Sequence, residues 1–470
     1  MAFARPLGLS LLCTLAAGGA WAQATELSGA FMRPERGTGS ADVAVDAAGG
    51  VHMGFVHWEP SAEGGEAVYG VCAGPVEGCD DPAAWSHVEL VPAASTVQVA
   101  ATADGRPRML IESEGEQGGT AFTYAECDAG CGERANWRLA LLATAQEDAM
   151  ASVFAIDEAR RTFALDGEGR PQFVYSDRNH FVEPDHYGTF WMSCKAECSD
   201  PASWVETDLA RHSDFDTEVF DAPSLAVDAE GRPRLLARIF GWNEDGTDAP
   251  EGLYYLACDA GCRDAGNWER VWVTETGGGS YPSPTWSLAL DPGGRPRVAL
   301  FAGDGMEPAE LSHTLLYLWC DAGEACLVSD EPWFGTVIAT DAVGESAALA
   351  ITPEGRPRIA FLNDGAELGY AWCDERCETQ EGGAWDGFVV ETQATLSAER
   401  PTAIPLSCDA ELWNGVAPHL ALGPEGRPVV AYDVSVQSRC LYREWGAPEH
   451  EIGYDFHEAW RGARVVTFTP

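Results

Sequence analysis

The side chains best suited to chemistry gather in two polar stretches. One reads Asp177-Arg178-Asn179-His180 and continues with Glu183, Asp185, His186 and Tyr187; the other reads Trp242-Asn243-Glu244-Asp245-Gly246-Thr247-Asp248. Asn243, Asp245 and Asp248 around Gly246 offer oxygen ligands in a tight loop, as calcium requires, and calcium is the one cofactor candidate. Their spacing does not complete an EF-hand loop, and a solvated turn is the plain alternative. His180, His186 and Asp185 form a second set: two histidines six residues apart on a loop can reach one transition-metal ion, although surface histidines are commoner than ligands. The third chemistry is glycoside hydrolysis, for which many enzymes need only two carboxylates at a suitable separation. Asp177, Arg178, Tyr187 and Arg238 are the catalytic candidates, but carboxylates are too abundant here for any pair to stand out. As a binding surface the same stretches offer Asp177, Arg178, His180, Glu183, Asp185, His186 and Trp242 to a ligand.

Internal repetition shows what must position these loops. A short apolar strand, a Gly-Arg-Pro turn and a second apolar strand recur at Gly105, Gly169, Gly231, Gly294, Gly355 and Gly426, with a degenerate first copy at Asp46-Ala47-Ala48-Gly49-Gly50. These seven copies are spaced by 56 to 71 residues. Each unit continues with an aromatic strand, a cysteine pair and a tryptophan that opens a last strand. The pairs are Cys72/Cys79, Cys127/Cys131, Cys194/Cys198, Cys258/Cys262, Cys320/Cys326 and Cys373/Cys377. In the first four copies the second cysteine precedes its tryptophan by six residues every time.

Each unit therefore reads as four strands. In the fourth copy these are 224–228, 234–239, 253–258 and a run opening at Trp268. Glycine in the turn supplies a positive-φ position, and proline then opens a strand where no ladder donor is needed. The expectation is an all-β, seven-bladed β-propeller of four-stranded blades, with one disulfide clasp per blade in six blades. A linear solenoid would need polar capping repeats, which the sequence lacks. The blades fall near 40–92, 95–143, 160–210, 222–275, 284–340, 345–392 and 417–470, within a single domain of residues 23–470. Chain direction puts the Gly-Arg-Pro turns and the cysteine pairs on one face, and the variable loops on the other, where function is expected.

The seventh copy departs from the pattern. Its third strand is expected to end at Trp445, its fourth to follow Trp460 and run over 463–467, with 25–31 as a competitor for that edge. Cys440 is expected at the start of the third strand, bridged to Cys408 in the preceding connection.

Arg5 precedes an apolar run, and Ala20-Trp21-Ala22 suits a cleavage site, so residues 1–22 read as a secretory signal and Gln23 as the mature start. Fourteen of the fifteen cysteines lie beyond the signal, an even number fitting an oxidising compartment, secreted or periplasmic. Two thiolates per unit, spread around a ring, cannot converge on one metal ion, so they read as structural disulfides. A net charge of −45, with Lys195 as the single lysine, argues against nucleic acid and anionic membranes as partners. No later run is long and apolar enough for a membrane span. No nucleophile elbow, phosphate loop or dinucleotide fingerprint is present in a fitting context.

The Gly-containing loop Cys127-Asp128-Ala129-Gly130-Cys131 followed by Asn136-Trp137 resembles the Asp-box turn of sialidase-like propellers, with a disulfide loop inserted and without the box serine or threonine. The chain is also similar to secreted bacterial propellers carrying Leu-Ala-Val-Asp-x-x-Gly-Arg-Pro repeats. A sialidase-like site, if the resemblance extends to it, implies an arginine cluster drawn from Arg161, Arg178, Arg211, Arg238 and Arg400, with Tyr187 as nucleophile and Asp177 available. The expectation is an exported, monomeric scaffold binding extracellular carbohydrate or protein through its variable loops. A glycosidase or polysaccharide lyase is the alternative.

Overall fold

Alternating apolar residues punctuated by glycine, proline and aspartate dictate short half-buried strands. The computed structural model describes residues 22–23, 25–35, 37–58, 65–72, 74, 76–115, 120–144, 160–177, 188–211, 219–240, 252–277, 284–306, 309–320, 326–327, 333–339, 346–363, 365–379, 383–401, 410–442 and 453–469. Over these residues the chain is all-β apart from the helix Gln393–Ala398 and brief 3-10 turns. No helix among them is long and apolar enough to cross a membrane.

The strands form six sheets. The third repeat is Phe163–Leu165, Pro171–Asp177, Gly188–Cys194 and Trp204–Arg211, antiparallel in chain order. The fourth, Val219–Val227, Pro233–Phe240, Gly252–Ala257 and Glu269–Thr274, matches the strands read from sequence. The fifth (Thr285–Leu290 to Phe334–Ala339) and sixth (Ala347–Ile351 to Trp385–Glu391) repeat that order, and Ala22–Gln23 adds a parallel strand beside Trp385–Glu391. The first two repeats merge into one seven-stranded sheet, because the long strand Trp85–Ala101 ends one unit and begins the next.

The first strand of each repeat touches the first strand of the following one, and that of the seventh touches that of the first. These strands therefore ring a central axis. The hydrophobic clusters follow the same cycle: each joins consecutive repeats, and one joins Val429, Ala431 and Val465 of the seventh to Val43, Val51 and Met53 of the first. Within them an aromatic residue of one repeat meets the tryptophan of the next, as in Tyr69–Trp137, Tyr124–Trp204 and Tyr317–Trp385, with ring centroids 4.8, 5.2 and 5.2 Å apart. Such edge-on pairs add about 1 kcal/mol each beyond the area they bury.

The seventh repeat corrects the sequence reading. Gly453–Thr469 is its third strand and runs unbroken through Trp460, while Thr25–Phe31 supplies the fourth. The strand Gly453–Thr469 is used along one edge by Pro428–Tyr442, and its other edge pairs with the N-terminal segment, Phe31 opposite Arg464. Joining the two ends of the chain in one sheet covers an edge that would otherwise template association. Cys440 lies near the end of the second strand, opposite Asp455, because that strand runs on to Tyr442. Cys408 lies outside the described residues, and so does the expected Cys408–Cys440 bridge.

Candidate functional site

The face of the Gly-Arg-Pro turns is built for rigidity. The six disulfides expected within repeats are present, Cys72–Cys79, Cys127–Cys131, Cys194–Cys198, Cys258–Cys262, Cys320–Cys326 and Cys373–Cys377. The six-residue spacing to tryptophan has a direct cause. The Trp85, Trp137, Trp204 and Trp268 indole N–H groups donate to the carbonyls of Cys79, Cys131, Cys198 and Cys262 at 2.8, 2.9, 2.8 and 3.0 Å. In the turns, Gly105, Gly169 and Gly231 have φ of 78, 77 and 81°. Asp166 accepts from the Glu168 and Arg170 N–H groups and pairs with the Arg170 side chain at 2.6 Å. Arg170 thus braces its own turn.

A second arginine, directly after the proline, escaped the sequence reading. Arg108, Arg234, Arg297 and Arg358 are buried, and each donates from Nη1 to two carbonyls, its proline's and that of Cys127, Cys258, Cys320 or Cys373. Three of them also pair with an aspartate just after the cysteine: Asp128 at 2.9 Å, Asp259 at 2.7 Å and Asp374 at 2.7 Å. The recurring tetrapeptide Gly-Arg-Pro-Arg was the available signal.

The opposite end of the axis carries a different cluster. A β-bulge between Gly39 and Asp42, with Ser40 at φ 52°, and another between Val416 and His419, with Ala417 at φ 47°, re-aim the residues that follow. Asp42 and His419 consequently meet, with Nδ1 3.1 Å from the carboxylate. Arg161 reaches across from the third repeat to the same carboxylate at 3.1 Å and to the Val43 carbonyl at 3.3 Å. The Val43 and Val99 N–H groups also donate to Asp42, at 2.8 and 2.7 Å. Burial opposes ionisation of Asp42, yet Arg161, His419 and the Val99 N–H together hold its carboxyl below the ordinary carboxylate range.

Beside this cluster Arg160 turns the other way. Its guanidinium donates to the Pro284 carbonyl at 3.1 Å and lies 4.4 Å from the Trp286 ring, in the fifth repeat. Gln98 holds the connection in place, donating to the Arg160 carbonyl and accepting from the Thr162 and Phe163 N–H groups. Arg160 and Arg161 thus cross the axis toward opposite sides at the level where the first strands begin.

Toward the rim, Arg461 pairs with Asp433 at 2.6 Å and lies 5.9 Å from the ring of half-buried Trp58. His57, Glu66 and Glu89 place three potential metal-ligand atoms within 4.8 Å of one another, a set that sequence spacing did not reveal because three strands contribute it. The Arg33 guanidinium already supplies a cation there, 2.6 Å from Glu89 and 3.4 Å from His57 Nδ1.

Most of the sequence-derived site residues cannot be placed in this geometry. Arg178, His180, Glu183, Asp185, His186, Tyr187, Trp242, Asn243, Asp245 and Asp248 lie outside the described residues. Asp177 ends its strand opposite Gly188, which in turn lies opposite Arg211. Arg238 sits inside Pro233–Phe240, between Asp221 and Leu253. Of the five arginines considered, Arg161 joins the axial cluster. Asp42, Arg160 and His419 were missed, although ionisable residues within or beside apolar innermost strands are a local conflict that marks a specifying position.

Neither known protein families nor curated proteins match this sequence. Solved structures do match. A polysaccharide lyase of family PL25, an ulvan lyase, aligns over 88% of this chain and 95% of its own, at 10% identity and a TM-score of 0.51. The GH93 α-L-arabinofuranosidase of Fusarium graminearum covers 72% of this chain and 93% of its own at 11% identity, with a TM-score of 0.45. The Aleuria aurantia lectin covers 78% and 96% at 12% identity, with a TM-score of 0.36. At 10% identity the likeness to the ulvan lyase is one of fold alone, and that fold is a β-propeller.

Proposed function

We propose that the chain is an exported, seven-bladed β-propeller, with a disulfide clasp in six of its blades, that binds extracellular carbohydrate at the mouth of its axis without cleaving it. The observation that carries this reading is the crossing of the axis by Arg160 and Arg161, each anchored in a different repeat. Hydrolysis requires carboxylates free to face a scissile bond in a cleft. Among the described residues at this level, Asp42 is instead committed to Arg161, His419 and two backbone N–H groups. Around it the rim offers half-buried Trp58 beside the partly exposed Arg461 guanidinium, which buried Asp433 holds in place, an aromatic face next to a charged donor. That combination suits a sugar ring, which has an apolar C–H face and a polar edge. Six disulfides fit an oxidising compartment, where extracellular glycans are met.

A glycan array probed with the mature chain from Gln23, in calcium and again in EDTA, tests the proposal. Specific binding in both conditions supports it as stated, and binding lost in EDTA adds calcium through Asp245 and Asp248. Signal that decays as the sugar is consumed points to a glycosidase or lyase. No binding under either condition overturns the carbohydrate reading and leaves a protein partner.

A further inference from the structure

One face of the first repeat's sheet changes character along its length. Met53, Phe55 and Val68 pack into the apolar cluster that this repeat shares with the seventh. Beyond them stand His57, Glu66 and Glu89, on the strands Val51–Trp58, Gly65–Cys72 and Trp85–Ala101. His57 lies directly opposite Glu66, and Glu89 lies opposite Val68, two residues farther along the same face. Strand patterning asks for apolar side chains here, and a local conflict of this kind marks a functional position.

The grouping has the chemistry of a metal site. The ligand atoms of all three residues lie within 4.8 Å of one another. His57 is 0% exposed, and its Nδ1 faces the Arg33 guanidinium at 3.4 Å. A guanidinium has donors and no acceptor, so the nitrogen facing it presents a lone pair, the form in which imidazole binds a metal. Glu66 is half-buried and Glu89 exposed, so the cluster opens to solvent. Arg33, 2.6 Å from Glu89, brings one positive charge to two carboxylates. A divalent ion matches that pair where a guanidinium does not, and the protein's charge of −45 draws cations to its surface. Ligand atoms about 2 Å from a common ion lie about 3–4 Å apart. Rotation of the two glutamate side chains closes the present spacing to that range once Arg33 gives up its contact.

We infer that His57 Nδ1 and the carboxylates of Glu66 and Glu89 bind a divalent transition-metal ion of the zinc class, with Arg33 as the resident cation that it displaces. One nitrogen and two carboxylates suit zinc, whereas calcium and magnesium take oxygen ligands alone. With the protein supplying three ligands, a coordination position stays open on the solvent side. The site lies within the first repeat, apart from the axial cluster, and does not rest on the carbohydrate reading.

The test is calorimetric titration of the EDTA-stripped and dialysed mature chain from Gln23 with zinc chloride, in excess magnesium to occupy exposed carboxylates elsewhere. Wild type should take up zinc as a single saturable event. His57→Gln should weaken it by about tenfold or more, and so should Glu89→Gln, whose exposed position leaves folding intact if the buried substitution does not. Arg33→Met removes the competing cation and should tighten zinc binding by about fivefold, an effect that a purely structural arginine would not produce. No zinc uptake by wild type overturns the site. Equal uptake by wild type and Glu89→Gln does the same, as does an Arg33→Met variant that binds zinc no more tightly than wild type.

Discussion

Replacing Asp42 with asparagine removes one charge and no volume, and the cost follows from its surroundings. The carboxylate accepts from the Val43 N–H on Oδ1 and from the Val99 N–H on Oδ2, with Arg161 and His419 on Oδ1 as well. An amide has a single acceptor oxygen, so either orientation of asparagine turns an NH2 group toward a backbone N–H that needs an acceptor. It also leaves Arg161 without its counter-charge. Breaking a buried ion pair by removing one partner costs roughly 3–5 kcal/mol; Asp42 is buried, but the Arg161 side chain left behind is 30% exposed, so the loss for Asp42→Asn should lie at the low end, about 3 kcal/mol. The pH dependence has a definite sign. Because the folded-state pKa of Asp42 is depressed, its contribution is complete above the unfolded carboxylate range and fades as pH falls through the depressed value. The difference between wild type and Asp42→Asn, read by urea denaturation with tryptophan fluorescence, should therefore be largest at neutral pH and shrink in acid. A loss under about 1 kcal/mol at neutral pH, or one independent of pH, would refute the reasoning.

Two further outcomes follow from buried groups. Arg464 holds Glu391 through three contacts of 2.6–3.1 Å, both side chains 1% exposed, with the Tyr432 hydroxyl donating to the same carboxylate. Arg464→Met should cost about 3–5 kcal/mol in urea denaturation, and Arg464→Met/Glu391→Leu should recover more than half of it; no recovery would show that the pair is not the source. Burial and then the Arg33 guanidinium, opposed by Glu35, push the His87 imidazole from 6.5 down to about 4. The unfolded chain thus takes up a proton between those values and the folded one does not, so wild-type stability falls as pH drops through that window. His87→Gln should flatten the decline by about 2 kcal/mol, a figure reduced for the partial exposure of the ring, and an unchanged slope in pH-dependent denaturation would contradict it.

The repeat was legible in the sequence because its signals are local. Gly-Arg-Pro fixes a turn, alternation fixes strand faces, and a tryptophan six residues after a cysteine is placed by the hydrogen bond to that cysteine's carbonyl. In the seventh repeat the competing strand 25–31 takes the edge, while the strand through Trp460 was misread as ending before it, because nothing local announces that Phe31 pairs with Arg464 or that 453–469 is one strand. The axial cluster was hidden for the same reason. Asp42, Arg161 and His419 lie far apart in sequence and are brought together by two bulges and the closure of the ring. The third repeat's Gln172 and Lys195, standing where the second repeat has Arg108 and Asp128, were in plain view, but the change acquires meaning only once Arg108–Asp128 is seen to be a pair.

The central claim, that the axial mouth binds carbohydrate and leaves it intact, is met most directly by incubating a glycan selected on the array with wild type and with Arg161→Met. Binding is read by calorimetry, and the sugar is recovered and sized by chromatography. The account predicts saturable binding by wild type, weakened by about tenfold in Arg161→Met, with the glycan recovered at its original length. Shortened chains or unsaturated ends in the wild-type incubation, absent from the protein-free control, would contradict it and make the molecule an enzyme.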